Sequence, residues 1–220
     1  PLSFPPLDYS RIGNVGTWFP FQIGFLLMTL PGIVDPLDES REEVDLIFFP
    51  TGGGKTEAYL GAAALTMFLR RLASKEHSGV DVLMRYTLRL LTVQQFERTS
   101  GLITAMEHMR RKDPNKFGAT PFSIGVWLGG ATSPNSRKDG VALLNPKKRL
   151  EDNQANPFIL SRCPWCGAAF GINKTHKSMV GYSASSSSPK KLLFQCGDRN
   201  NCEFATESKA LPIWITDEDV

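Results

Sequence analysis

The strongest constraint on the fold is a run of three glycines that follows a short apolar segment and precedes a long helix-forming segment. The apolar segment VDLIFF, residues 44–49, is rich in strand-favouring residues and has the length of a buried strand. Residues 55–75 are rich in Ala and Leu and carry basic residues late, where the helix dipole favours cations. A strand, a glycine loop and a helix in this order predict a phosphate-binding loop.

The loop has the chemistry that a nucleoside triphosphate requires. Glycines can adopt positive φ angles, so backbone N–H groups can turn inward and bind an anion beside those that begin the helix. Lys55 is placed to reach the β- and γ-phosphates of ATP, and the Thr56 hydroxyl to bind Mg²⁺, which makes them the candidate catalytic residues. The predicted nucleotide-binding residues are Gln22, Thr51, Gly52, Gly53, Gly54, Lys55, Thr56 and Glu57. The alternative is an ordinary glycine-rich turn with an exposed lysine.

Two residues near the loop give more specific expectations. Gln22 opens a predicted helix that runs to about Leu30 and ends at Pro31. Its side-chain amide offers one donor and one acceptor, which can pair with adenine N6 and N7; the alternative is a surface or capping glutamine. Phe49 occupies the position at which such loops usually have glycine, so we expect the first turn to have a different shape.

The segments after the loop repeat the same alternation. Residues 80–86 and 122–130 are predicted strands, and residues 90–112 between them are a predicted long helix. Alternating strands and helices predict an α/β fold with a parallel sheet, right-handed crossovers and helices on both faces. We divide the chain into an irregular N-terminal arm (1–18), a nucleotide-binding lobe (19–160), a cysteine-containing insertion (161–205) and a return toward the lobe (206–220).

Polar residues follow the second predicted strand, and a pair of glycines ends the third. Parallel sheets place binding groups at the carboxyl ends of their strands, so we expect these residues on the same edge as the glycine loop. Arginine, hydroxyl and amide groups at such an edge can bind nucleic-acid phosphates, and glycines let a strand approach the backbone. The predicted nucleic-acid-binding residues are Arg85, Tyr86, Thr87, Arg89, Gln94, Gln95, Gly129 and Gly130. The alternatives are a solvated helix start and an ordinary turn.

All four cysteines lie in one short region, as C-x2-C at Cys163 and Cys166 and as C-x5-C at Cys196 and Cys202. Four thiolates around a tetrahedral ion form a structural Zn²⁺ site, and Pro164 favours the tight turn that brings two sulfurs to one metal. Disulfides and free thiols are the alternatives. The spacing predicts a small zinc-ribbon-like insertion whose apolar residues are too few for a core of its own.

Composition sets wide limits. The chain has 220 residues, 41% of them hydrophobic and 21% charged, with a formal net charge of +3, which is typical of a soluble domain that could bind nucleic acid. Its longest apolar stretch, residues 19–34, is interrupted by Pro31 and Gly32 and is too short to span a bilayer. We find no signal-peptide pattern.

Several segments together resemble the large superfamily 2 helicase of DISARM anti-phage systems. They are FPFQIGFLLMTLPGI, DLIFFPTGGGKTEAYLGAAALTMFLRRL, VLMRYTLRLLTVQQFERTSGLI, CPWCG and CGD. The resemblance covers most of the chain from residue 19 onward, which would be an N-terminal part of the helicase. It implies a RecA-like first lobe with a zinc-binding insertion, ATP-dependent DNA helicase or translocase activity, and a bacterial cytoplasmic location. It also implies DNA, single-stranded or at a junction, and a DrmB-like second subunit as partners.

The C-terminal sequence WITDEDV looks like a strand followed by a Mg²⁺-binding aspartate, Asp217, and a hydrolytic acid, Glu218. We interpret the match as coincidental because few apolar residues precede it and Val220 stands where such helicases usually have Asp or His. The hydrolytic acid would then lie beyond residue 220, and this chain alone would not hydrolyse ATP.

Two other functions remain open: a P-loop phosphotransferase, and a non-enzymatic zinc-ribbon adaptor for nucleic acids.

Overall fold

The computed structural model describes residues 16–50, 52–130, 132–145, 156, 158–173 and 178–220. The helices are α1 (Pro20–Val34), α2 (Lys55–Ala73), α3 (Arg89–Lys112), α4 (Pro114–Phe117) and α5 (Arg137–Ala142). The strands are β1 (Ile124–Gly125), β2 (Gly171–Asn173), β3 (Ser178–Val180), β4 (Tyr182–Ala184), β5 (Leu192–Phe194) and β6 (Ile213–Trp214). Most of the predicted N-terminal arm lies outside the described residues. No helix among the described residues is long and apolar enough to cross a bilayer.

The chain divides into two compact units. The loop unit contains the described residues up to Met84 together with Met109–Thr120. The cysteine unit contains Arg85–His108 and Pro121–Val220. The domain boundaries expected from the sequence stay predictions.

In the loop unit, α1 packs against α2 through a close approach at Gly61 of α2. A Cβ atom at Gly61 would lie 2.7 Å from the ring of Trp18, just before α1, and 3.4 Å from Leu26 of α1, so a larger residue would displace the ring. The prediction that α1 ends at Pro31 is wrong, because the helix continues to Val34. Its last turn is closed by the Asp35 N–H, which donates to the Pro31 carbonyl at 2.9 Å.

A buried arginine fixes the end of α2. Arg71 is only 3% exposed, and its guanidinium donates to the carbonyl oxygens of Phe117, at 3.0 Å, and Thr120. Arg110 donates to the Gly118 carbonyl at 2.9 Å in the same turn. Both guanidinium groups therefore satisfy backbone acceptors that would otherwise be buried without partners.

The predicted parallel sheet is not present as a large sheet among the described residues. Residues 44–50 and 80–86 are not assigned to strands, and their apolar side chains are exposed, as Val44 (94%), Phe48 (90%) and Leu83 (88%) show. A parallel strand is stable when other strands flank it and helices cover both faces, and the described chain supplies neither for these segments. The fold is instead a mixture of helices and small two-stranded sheets.

The cysteine unit has one parallel pair and two antiparallel hairpins. Strand β1 pairs in parallel with β6, with Ile124 opposite Ile213, so the third predicted strand and the last apolar run are neighbours. Strands β2 and β3 form one hairpin, and β4 and β5 form the other.

The cysteine unit has a single core that crosses the predicted boundaries of the insertion. Phe96 of α3, Val126 after β1 and Ile213 of β6 belong to the same cluster as the aromatic residues of the insertion. Those residues are Phe170, Tyr182, Phe194 and Phe204. The insertion thus obtains from its neighbours the apolar core that its own sequence lacks.

Candidate functional site

Two residues of the glycine loop have left-handed backbone conformations. Gly52 has a φ of +83° and Gly54, which caps α2, has a φ of +84°. These left-handed conformations suit glycine. The Gly53 N–H donates to the Pro50 carbonyl at 3.2 Å and closes the turn. Thr51 lies outside the described residues.

The two candidate catalytic residues begin α2. The Lys55 ammonium donates to the carbonyl oxygens of Phe49 and Pro50, the latter at 3.0 Å, so its side chain folds back over the loop. The Thr56 hydroxyl accepts a hydrogen bond from the Tyr59 hydroxyl at 3.2 Å. A phosphate group would have to compete with these two carbonyls for the ammonium, and the ATP-binding roles of Lys55 and Thr56 stay predictions.

Gln22 connects α1 to the loop. Its side chain is 3% exposed; Oε1 accepts from the Phe19 N–H at 2.8 Å, and Nε2 donates to the Gly54 carbonyl at 2.7 Å. The amide therefore caps α1 and holds the last residue before α2. Sequence reasoning missed this loop-positioning contact, and the adenine-binding role of Gln22 stays a prediction.

Phe49 also connects the loop to α1. Its ring stacks on that of Phe21, with centroids 4.0 Å apart and planes inclined by 24°. A phenylalanine at the usual glycine position therefore attaches the segment before the loop to α1. Both aromatic residues are visible in the sequence, but no local pattern predicts that they pair.

The predicted nucleic-acid-binding residues around α3 have different environments. Arg85 and Thr87 are exposed in the segment before α3, and Tyr86 is half-buried. Gln94 is exposed on the helix, whereas Gln95 is only 8% exposed. The structure therefore favours Gln94 over Gln95 as a contact at the surface. Arg89 begins α3, and only its backbone is described.

The predicted glycine pair lies in a tight turn after β1. Gly129 has a φ of +77°, and its carbonyl accepts hydrogen bonds from the N–H groups of Thr132 and Ser133 at 2.9 and 3.3 Å. A Cβ atom at Gly130 would lie 2.9 Å from the Asn135 side chain. Gly129 thus suits the turn itself, whatever the turn binds, whereas a Cβ at Gly130 would require the Asn135 side chain to shift.

The four cysteines form one cluster. Their sulfur atoms lie within 4.8 Å of one another; Cys163 and Cys202 are 4.0 Å apart and Cys166 and Cys196 are 3.4 Å apart. A tetrahedral ion with bonds of about 2.3 Å places its sulfur ligands roughly 3.8 Å apart. All four are free thiols in the structure, and their arrangement is compatible with a metal ion such as zinc.

Backbone hydrogen bonds shape the two turns that carry the cysteines. The Cys163 N–H donates to the Ala168 carbonyl at 2.8 Å, and the Gly167 N–H donates to the Cys163 carbonyl at 2.9 Å. In the second turn, the Asp198 N–H points to the Cys196 sulfur at 3.4 Å. An amide donor to sulfur stabilises a thiolate, which is the form that binds metal.

The clustered thiols do not ionise independently of one another. Hydrogen bonds from Cys196 and from Cys202 lower the pKa of Cys163 to about 5. The bond to Cys163 raises the pKa of both donors, and burial raises that of Cys166. The four sulfurs therefore need a cation before they can all be thiolates.

Residues next to the cysteines attach the cluster to α3. The His108 ring of α3 packs on Trp165, with centroids 4.5 Å apart, and its Nδ1 lies 2.7 Å from Glu203 Oε1. Trp165 and Glu203 each adjoin a cysteine in the sequence. The cluster and α3 are thus joined by direct contacts, which cysteine spacing alone does not reveal.

Of the acidic residues after β6, Glu218 and Asp219 are engaged in bonds within the cysteine unit, whereas Asp217 Oδ1 is buried with no hydrogen-bond partner among the described residues. Asp219 Oδ1 lies 2.8 Å from Arg137 Nε and 3.2 Å from Lys191 Nζ, and Thr216 donates to Oδ2 at 2.6 Å. Burial opposes the ionisation of Asp219, but these hydrogen bonds outweigh it and lower its pKa. Glu218 accepts a hydrogen bond from the Arg137 N–H at 2.8 Å. Such bonds suit a structural role, and the coincidental nature of the match stays our interpretation.

Comparison with known proteins identifies a relative. The chain is 36% identical over 212 residues to the DISARM protein DrmA of Bacillus paralicheniformis (strain ATCC 9945a / NCIMB 11709 / CD-2). The alignment covers 92% of this chain but only 18% of the length of that relative. The similarity confirms the resemblance to a DISARM protein noted from the sequence motifs, and the chain is DrmA-like. No family model and no solved structure matches it.

Proposed function

We propose that this chain forms the ATP-binding part of an ATP-dependent DNA helicase or translocase of a bacterial anti-phage defence system. The similarity to a DISARM protein supports the role in defence. The proposed location is the cytoplasm, where phage DNA and a DrmB-like second subunit would be its partners.

The glycine loop carries the proposal of ATP binding. Two left-handed glycines precede α2, and the Lys55 ammonium lies against the carbonyl oxygens of the loop. Backbone N–H groups, a helix N-terminus and a lysine are the groups that bind the phosphates of ATP, with the Thr56 hydroxyl on Mg²⁺. Gln22 and Phe49 strengthen the proposal because their contacts hold this loop in place.

The cysteine cluster is proposed to bind Zn²⁺ as a structural ion. Its four sulfurs supply a complete tetrahedral set, and such closed sites stabilise a fold without taking part in catalysis.

DNA is proposed to bind along the start of α3 and the Gly129 turn, through exposed groups such as Arg85 and Gln94.

The decisive experiment is ATP hydrolysis by the full-length protein with and without single-stranded DNA. We expect DNA to raise the rate, and Lys55→Ala to lower the stimulated rate by about 100-fold or more, because removing a cation that stabilises transferring phosphate costs roughly 3 kcal/mol. Lys75→Ala, which removes an exposed lysine of the same unit, should leave the rate unchanged.

Other outcomes select the alternative functions. ATP turnover that DNA does not stimulate would reject the helicase or translocase function and favour a phosphotransferase. DNA binding without turnover in either protein would favour a non-enzymatic adaptor.

A further inference from the structure

A groove of about 760 Å³ lies between α5 and the turn that joins β4 to β5 in the cysteine unit. Its lining residues are Arg137, Lys138, Val141, Pro189, Lys190 and Glu218. None of them belongs to the nucleotide-binding, nucleic-acid-binding or cysteine sets described above. Three are cationic and one is acidic, so the groove carries a net positive charge.

The two lysines are the available cations of this groove. Lys138 and Lys190 are exposed, and neither has a hydrogen-bond or ion-pair partner among the described residues. Arg137, by contrast, is paired with Asp219, which also binds Lys191. The lysines are therefore free to neutralise a negatively charged ligand.

The turn that carries Lys190 is fixed in position. Ser186 donates to Glu207 Oε1 through its N–H, at 2.7 Å, and through its hydroxyl, at 2.9 Å. The Lys191 N–H donates to the Ser185 hydroxyl at 2.8 Å. A fixed turn holds the Lys190 backbone opposite α5, so a ligand would need to order only the lysine side chains.

The groove lies at an edge where binding is expected. Glu218 follows β6 in the chain, and α5 follows β1 through the Gly129 turn, so the α5 wall and Glu218 follow the carboxyl ends of a parallel pair, whereas the wall that carries Lys190 is the turn between β4 and β5. Binding groups of open sheets meet at these ends. The proposed DNA-binding Gly129 turn is at the same edge.

We propose that this groove binds the sugar-phosphate backbone of a DNA strand through Lys138 and Lys190. The inference rests on the proposed DNA-binding function and deepens it: the cysteine-containing insertion contributes a DNA contact of its own. Two flexible ammonium groups on opposite walls suit successive phosphates, which position a strand without reading its sequence.

The test measures binding of a labelled oligothymidine strand to the full-length protein, without ATP, over a series of salt concentrations. The double variant Lys138→Gln/Lys190→Gln is compared with Lys75→Gln/Lys112→Gln, which removes the same charge from exposed lysines outside the groove. We expect the groove variant to bind about tenfold more weakly at physiological salt and its salt slope to fall by about 1.4, or 0.7 per phosphate contact. Its melting temperature should equal that of the control because both lysines are exposed.

Each other outcome has a definite meaning. An affinity and salt slope equal to those of the control would overturn the proposal. A variant that loses affinity for inorganic pyrophosphate but not for the strand would also overturn it, because the groove would then be a small-anion site. If DNA stimulates ATP turnover but the groove variant has an unchanged salt slope, the proposed helicase or translocase function stands and the proposed DNA contact in the groove is rejected. If the salt slope depends on the two lysines but the protein does not hydrolyse ATP, the proposed DNA contact in the groove stands and the helicase or translocase function is rejected.

Discussion

Cys202→Ser in the full-length protein is expected to abolish Zn²⁺ binding and to unfold the cysteine unit. The wild-type protein should contain about one Zn²⁺ per cysteine cluster. Structural zinc contributes about 10–16 kcal/mol of apparent binding free energy in zinc-finger peptides, which matches or exceeds the roughly 5–15 kcal/mol stability of a whole domain. Zinc content by elemental analysis and hydrogen exchange by mass spectrometry would measure both effects.

The shared core determines which elements should lose hydrogen-exchange protection when the metal is lost. Cys163, Cys196 and Cys202 are part of the same buried cluster as Phe96 of α3 and Ile213 of β6. Release of the cysteines would therefore remove exchange protection from α3 and β6 as well as from the insertion. An independent zinc ribbon would instead lose protection only within residues 161–205.

Arg199→Ser is the matched control because Arg199 is exposed in the same Cys196–Cys202 turn. It should keep the metal, the protection and the melting temperature of the wild-type protein. If Cys202→Ser and a chelated sample behave like this control, the cluster has no structural metal.

Gly54→Ala is expected to lower the free energy of unfolding of the loop unit by about 2–4 kcal/mol. Alanine is strained at the φ of +84°, and its Cβ would lie 2.7 Å from Gln22 Nε2, which donates to the Gly54 carbonyl. The strain accounts for about 1–2 kcal/mol, and displacement of a buried amide from its acceptor accounts for the rest. Urea unfolding followed by helix-sensitive circular dichroism would measure the change.

Two other glycine variants separate the causes. Gly52 has a similar φ of +83° but open space around it, so Gly52→Ala should show only the backbone strain of about 1–2 kcal/mol. Gly24 lies in α1 with open space and no positive φ, so Gly24→Ala should be neutral or stabilising by about 0.5–1 kcal/mol. Equal effects at Gly52 and Gly54 would contradict the role of Gln22 in holding the loop.

Local patterns predicted part of this structure because the responsible interactions are short-range. The helices at residues 55–75 and 90–112 were predicted within two residues of α2 and α3, since composition and charge placement act within a few turns. The clustering of the cysteines followed from their spacing and from the turns that carry them. The prediction for the end of α1 was wrong because proline is a strong local signal for a helix end, whereas here the helix continues and its last turn is closed by the Asp35 N–H bond to the Pro31 carbonyl.

The sequence by itself determined the glycine loop, the long helices and the cysteine set, because each is encoded by residues close together in the chain. Only the tertiary structure decided that Gln22 and Phe49 hold the loop, that β1 pairs with β6, and that the insertion shares its core with α3. These contacts join residues far apart in sequence. They depend on which surfaces pack against each other, and local periodicity or residue spacing does not predict which surfaces those are.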